Sequence, residues 1–167
     1  GGLAELVRLA EMTKRVGSVI YPDSVPPALG DAATALGTLA LMSDEDGVFR
    51  GVRSSSPSAG SSPHPPIGLS IASFVSKTTT AIKPGVIGSQ LRFVGRWNNS
   101  PFPTHVFADV WDAIQNRDRD QLANTFRGKV VIIFSQGSKQ PTLSTPWELA
   151  VPGEFLHAIL SNAVLTN

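Results

Sequence analysis

Ser43-Asp44-Glu45-Asp46-Gly47-Val48-Phe49-Arg50 lies between two apolar runs, Thr38-Leu39-Ala40-Leu41-Met42 before it and Val48-Phe49-Arg50-Gly51-Val52 overlapping its end. Asp46-Gly47 is the strongest short signal for a tight reversal, because Gly accepts a positive φ and Asp tolerates the left-handed region. The flanking runs are short and partly β-branched, as strands require. The stretch therefore predicts a β-hairpin over residues 37–53, with an acidic tip and with Asp44 and Arg50 placed to pair across its base. The same acids raise the question of a calcium loop. An EF-hand needs oxygens at alternate positions and a Glu at the twelfth. Asp44 and Asp46 meet the first two requirements, Val48 and Ser55 fail the others, and no metal site is expected.

Working outward, Leu3, Leu6, Val7, Ala10 and Lys14 trace helical spacing up to Gly17, with Glu5, Arg8 and Glu11 on the other side. Ser18-Val19-Ile20-Tyr21 reads as a short strand stopped by Pro22. After Pro26-Pro27-Ala28-Leu29-Gly30, the small-residue segment from Asp31 to Leu36 reads as one short helix. On the far side of the hairpin, residues 54–66 form an internal loop rich in serine and proline. Ile67, Leu69, Ile71, Ala72, Phe74 and Val75 give a second amphipathic helix running to about Lys77. Gln90-Leu91-Arg92-Phe93-Val94 alternates as a strand does. Val106, Val110, Trp111 and Ile114 form a helical stripe, and Arg117-Asp118-Arg119-Asp120 reads as a charge-balanced solvated loop. The clearest strand is Gly128-Lys129-Val130-Val131-Ile132-Ile133-Phe134, whose continuous apolar run over residues 129–134 implies cover on both faces. Pro152-Gly153 opens a last helix with Phe155, Leu156, Ile159, Leu160 and Val164 on its apolar side. Helices alternating with strands around one hairpin predict an α/β fold with a mixed sheet, folded as one domain over residues 1–167.

Composition narrows the function. Of 167 residues, 41% are hydrophobic and 16% charged, the latter below the usual quarter, which argues for a globular chain. The net charge of +1 implies no field for nucleic acid or a membrane surface. With no cysteine, disulfides, thiolate zinc sites and Cys nucleophiles are excluded. The three histidines, His64, His105 and His157, are not paired at helical spacing, so no helical zinc site arises. Neither G-x-G-x-x-G nor G-x-x-x-x-G-K-[ST] occurs, nor a G-x-S-x-G elbow, and neither a cofactor nor catalysis is expected. Ser135-Gln136-Gly137-Ser138-Lys139 follows the central strand, where α/β proteins often place ligands. Ser135, Gln136, Ser138 and Lys139, with Trp147 and His157, are therefore the candidate ligand-binding residues. Each also has an ordinary reading: a strand-exit turn, a core or interface Trp, a buried structural His.

Taken in order, the motifs resemble those of the CHASE-type extracellular sensory domain of the second class. Gly37 to Arg50, with Asp44, Asp46, Gly47, Val48 and Arg50, is similar to that family's Asp-x-Asp-Gly-(Val)-x-Arg segment. Leu91-Arg92-Phe93-Val94-Gly95 resembles its strand ending in an aromatic and a Gly. Val110-Trp111, then Gly128-Lys129-Val130-Val131, looks like its helix, spacer and Gly-Lys-(apolar) strand. Thr145-Pro146-Trp147, Pro152-Gly153 and His157-Ala158 resemble the closing Thr-Pro-(aromatic)…Pro-Gly-x-x-x-His-Ala signature. The chain departs from the pattern at Phe134, at Pro141 and at Glu154-Phe155. The resemblance also implies an earlier helix and strand, which this chain lacks.

The resemblance implies an extracytoplasmic input module that is not itself catalytic. It would be tethered by membrane helices outside this chain to an adenylate cyclase, diguanylate cyclase or sensor kinase. Its partners would be a small-molecule or ionic signal and a second copy in a homodimer, with no nucleic acid. The last helix, 152–165, would be the lever that passes the change on. A small-ligand α/β enzyme and a ligand-free dimerisation module are the competing readings.

Overall fold

The computed structural model describes residues 2–52, 63–77, 93–134 and 142–166. The greater part of the predicted loop at 54–66, the strand at Gln90–Arg92 and the turn at Ser135–Lys139 lie outside the described residues. Within them the fold is α/β, with helices dominant and two small two-stranded sheets.

The predicted first helix is present. Helix α1 spans Gly2–Val16 and ends where Gly17 turns to φ +66° and donates its N–H to Thr13 O at 3.1 Å. Strand β1, Ile20–Pro22, follows. Helix α2 is the short Pro27–Gly30, with proline at its first position, where a missing N–H costs nothing. The expected helix from Asp31 to Leu36 is not formed. Its second half is strand β2, Ala35–Gly37, parallel to β1 with Tyr21 opposite Leu36. Thr34 N–H donates to Val19 O and Asp23 N–H to Gly37 O, so a ladder takes the backbone groups that a helix would have used.

Helix α3, Ile67–Ser76, is as the apolar spacing predicts, and Lys77 caps it in the left-handed region at φ 52°. Its first turn has no side-chain cap, because Pro66 stands at that position. The free N–H groups find tertiary partners instead. Ile67 N–H donates to Thr38 O at 2.9 Å, and Gly68 N–H donates to His157 Nδ1 at 3.4 Å. Thr38 N–H in turn donates to Pro65 O at 2.8 Å, which fastens β2 to the start of α3. Two glycines make the approach possible. A Cβ on Gly37 would stand 2.5 Å from Ile67 Cα, and one on Gly68 would stand 2.5 Å from His157 O.

The turn at Asp46-Gly47 forms, but the hairpin ladder over 37–53 does not. Gly47 has φ +78°, its N–H donates to Asp44 O, and Asp44 N–H donates to Val48 O, both at 2.9 Å. Beyond the turn the arms part. Thr38 bridges Pro66, whereas Val48 bridges Ser144 and Phe49 N–H donates to Ser144 O at 2.7 Å. The cause is burial: Phe49 is 1% exposed, and its place in the core lies beside Val151, Phe155, Leu156 and Ile159. Sinking that ring, worth roughly 1.5–3 kcal/mol, outweighs a local pairing that leaves it half wet.

Helix α4, Phe107–Gln115, forms where the stripe predicts a helix, but Val106 is its N-cap and Trp111 and Ile114 of the stripe are exposed; helix α5, Arg119–Phe126, follows it. Arg117-Asp118-Arg119-Asp120 is therefore not a loop throughout. Asp118 is the N-cap of α5, its Oδ1 accepting from Gln121 N–H at 2.9 Å, and Asp120 lies in the positive first turn. The predicted central strand at 129–134 is also corrected. Lys129 N–H closes onto Phe126 O behind α5, and Val131 and Ile133 are 50% and 80% exposed. Among the described residues no strand pairs with this run. Apolar character makes a segment fit for burial, but the burial itself depends on neighbours that the run does not encode.

Strands β3, Thr142–Leu143, and β4, Val151–Pro152, pair antiparallel and lead into helix α6, Gly153–Thr166. Leu156, Ile159 and Leu160 of α6 are fully buried. Phe155 receives the edges of Trp97 and Phe102, with ring centroids 5.4 and 5.8 Å away. Helix α6 is thus the core's central member, and α3 is its main helical neighbour.

Replacing Gly68 by Ala forces a methyl against the His157 carbonyl. The expected result is a lower urea midpoint equivalent to about 1–3 kcal/mol. Gly2→Ala, at a position with open space around it, leaves the midpoint unchanged or raised.

Candidate functional site

Three side-chain clasps and one cleft hold several of the singled-out residues that lie in the described structure. The first clasp is at the acidic turn. Arg50 Nη1 donates to Asp44 Oδ2 at 3.0 Å and to Asp46 Oδ1 at 2.9 Å, while Nη2 donates to Asp46 Oδ2 at 2.7 Å. The pairing across the base is the one the sequence predicts between Asp44 and Arg50. The fork onto Asp46 adds to it. Asp46 Oδ1 also accepts Val48 N–H at 3.1 Å, so one carboxylate both makes the turn and anchors the guanidinium. The Arg50 hydrogen bonds hold the Asp46 carboxyl down at about 2, from an ordinary 3.8. Asp46 in return raises the Arg50 guanidinium above its already high range. Paired in this way, these residues hold the backbone of the turn.

The second clasp is at Thr145-Pro146-Trp147-Glu148. The buried Thr145 hydroxyl accepts the N–H groups of Trp147 and Glu148 at 3.3 and 3.1 Å and donates to Glu148 O at 3.2 Å. Glu148 then reaches across 51 positions, accepting Trp97 N–H at 2.6 Å and Asn98 N–H at 3.4 Å. No sequence signal marks Glu148. Its role becomes visible only when Trp97 is seen against Phe155. Pro146 and Trp147 project from this turn, Trp147 60% exposed.

The third clasp is buried. His157 on α6 is 1% exposed. Its Nδ1 faces the Gly68 N–H, which can only donate, so Nδ1 accepts and the ring proton sits on Nε2, 3.3 Å from Leu39 O. One turn on, Ser161 Oγ lies 2.8 Å from Gly68 O and 2.9 Å from His157 O and shares its proton between them. Burial pushes the His157 pKa down. The Leu39 carbonyl and the Glu154 charge oppose that shift. His157 therefore joins α6, the start of α3 and the segment leaving β2 as a neutral ring. Gly68 and Ser161 were not singled out by the sequence. The faint signal was Ser161 four residues after His157, on the same helix face.

The cleft lies between β2 and α3. Its volume is about 410 Å³, and Leu36, His64, Ser70, Ser73 and Phe74 are among its walls. Ser70 Oγ donates to Leu36 O at 2.9 Å and ties the two walls together. Of the predicted ligand set, Ser135, Gln136, Ser138 and Lys139 lie outside the described residues. Trp147 and His157 are not brought to one opening: the first projects from its turn, and the second has both ring nitrogens committed to backbone.

Of the remaining signature residues, Gly128 ends the α5 turn at φ +72°, with Lys129 exposed beyond it. Pro152 is buried opposite Thr142, and Gly153 begins α6. These placements reproduce the order of a sensory-domain signature, and a family model for the CHASE2 domain matches residues 4–167. The chain belongs to the CHASE2 family. It is accordingly an extracellular sensory domain by family, with a role in signal transduction. Searches of curated proteins and of solved structures returned no match. In this CHASE2 domain the described signature residues are mainly structural: they shape a turn, close a helix end and latch α6.

The Asp46 carboxyl should titrate near pH 2 by NMR, and Arg50→Ala should return it toward 3.8. Because the folded value is the lower one, the clasp's contribution to stability is complete above 3.8 and is lost as the pH falls through about 2.

Proposed function

We propose that this CHASE2 domain is the non-catalytic input module of a bacterial transmembrane receptor with a cyclase or sensor-kinase output, working as a homodimer. Membrane helices outside this chain tether it. A small molecule or ion is its signal, and the cleft between β2 and α3 is where a small molecule enters. The observation that carries the reading is the third clasp. One wall of the cleft is α3, and the first turn of α3 is bonded to His157 and Ser161 of α6. A ligand that moves α3 toward α6 loads that contact, since Gly68 already lies too close to the His157 carbonyl to admit a Cβ. The volume of about 410 Å³ suits a metabolite-sized ligand. Its lining supplies hydroxyls at Thr34, Ser70 and Ser73, and apolar surface at Leu36 and Phe74.

Two measurements test this. In the full-length receptor, Ser161→Ala removes the hydroxyl shared between Gly68 O and His157 O and is expected to change basal output at least about twofold, equivalent to about 0.4 kcal/mol. Unchanged output with unchanged fold overturns the role of α6 as the lever. In a thermal-shift screen of metabolites, a ligand of the cleft raises the melting temperature of the wild type. Ser73→Phe, which fills the cleft, abolishes that rise; a rise that survives the substitution places the ligand elsewhere.

A further inference from the structure

The third clasp has a polarity that the sensory reading alone does not use. His157 Nδ1 is an acceptor facing an N–H, and the only way to protonate the ring is at that nitrogen. Protonation would set two donors against each other where the backbones of α3 and α6 approach too closely to admit a Cβ. The preceding turn of α6 holds a second anomaly. Glu154 Oε2 is buried and has no hydrogen-bond partner, a costly state for a carboxylate oxygen. Glu154 lies three residues before His157 on the same helix, and its charge favours the imidazolium.

We propose that the His157 clasp is a proton-operated latch: protonation at Nδ1 expels the Gly68 N–H, the imidazolium turns to the waiting Glu154 carboxylate, and α6 is released from the start of α3. The ligand class is thus the proton, read at an interior contact. The latch rests on the sensory reading only for its purpose, not for its chemistry. Among the described residues no charge besides Glu154 faces the ring from the neighbouring elements. Helix α3 carries no titratable residue over Ile67–Ser76. On the segment leaving β2 the first is Asp44, held by Arg50. His64, ahead of α3, lines the cleft. Glu148 is engaged by the backbone of Trp97 and Asn98. Burial holds the ring neutral at ordinary pH, so the latch stays closed above 6.5 and opens as the pH falls below that value through the depressed folded one.

The test is NMR on the 167-residue chain, following the His157 ring nitrogens and amide protection factors from about pH 8 to about pH 4.5. At the alkaline end the ring is expected as the Nε2–H tautomer. In the same step in which the ring gains its second proton, the Gly68 amide loses at least about tenfold of its protection. Leu122 in α5 keeps its own, which separates a local release from acid unfolding. Glu154→Gln is expected to move the step roughly 0.5–1 pH unit lower by removing the negative charge that draws the imidazolium. His157→Gln, neutral and still able to accept, removes the step, whereas His64→Gln and His105→Gln retain it. The latch is overturned if the ring protonates with Gly68 protection intact, if Gly68 and Leu122 lose protection together, or if Glu154→Gln leaves the midpoint where it was. Should His157→Gln not fold, the Glu154→Gln arm and the ring tautomer still decide. Receptor output plays no part in these outcomes, so they stand apart from the test of the lever.

Discussion

The close approach of Gly68 to the His157 carbonyl sets the distance between α3 and α6, and most of the architecture depends on it. Gly68 has no side chain, and a Cβ there would stand 2.5 Å from that carbonyl. The backbones therefore meet closely enough for a ring nitrogen to receive the Gly68 N–H and for one hydroxyl to bridge both carbonyls. Because Pro66 gives α3 no side-chain cap, its first turn relies on these partners. The same helix start holds Thr38, hence β2, hence the parallel pairing with β1. Loosening this contact would free the start of a helix and the end of a strand together.

The family signature acquires a common explanation from this. Asp44, Asp46, Gly47 and Arg50 shape a turn whose output is the placement of Phe49 in the core. Thr145 shapes a second turn whose output is Glu148, which holds Trp97 against Phe155. His157 holds α3. All three clasps converge on α6 or its neighbours, each by satisfying backbone groups with a side chain whose geometry is fully used. A domain built this way can specify one arrangement of its last helix without a ligand present.

The sequence made a good part of this legible, and the failures share a cause. Local chemistry was read correctly wherever it was self-contained: α1 with its terminal Gly17, α3 from its apolar spacing, α4, the αL turn at Gly47, and the Asp44–Arg50 pair six positions apart. It failed where a distant partner decided. Residues 31–36 read as a helix until a parallel strand captured Ala35–Gly37. The arms of the turn read as a hairpin until the core captured Phe49 and Ser144 its backbone. Residues 129–134 read as buried on apolarity alone. His157 was read both as a ligand candidate and as a satisfied structural histidine, and the geometry is that of the second.

By itself, then, the sequence determined α1, α3, α4 and α6, the acidic turn and its ion pair, and the ordered motifs that mark a CHASE2 domain, because each is written in residues a few positions apart. Only the tertiary structure decided what the acidic turn at 43–50 is for and what His157 does. Phe49 and Ser144 stand 95 positions apart and His157 and Leu39 stand 118 apart, and no local periodicity carries information over such spans. What does carry it is packing: two helices can share a histidine only where a glycine lets them touch.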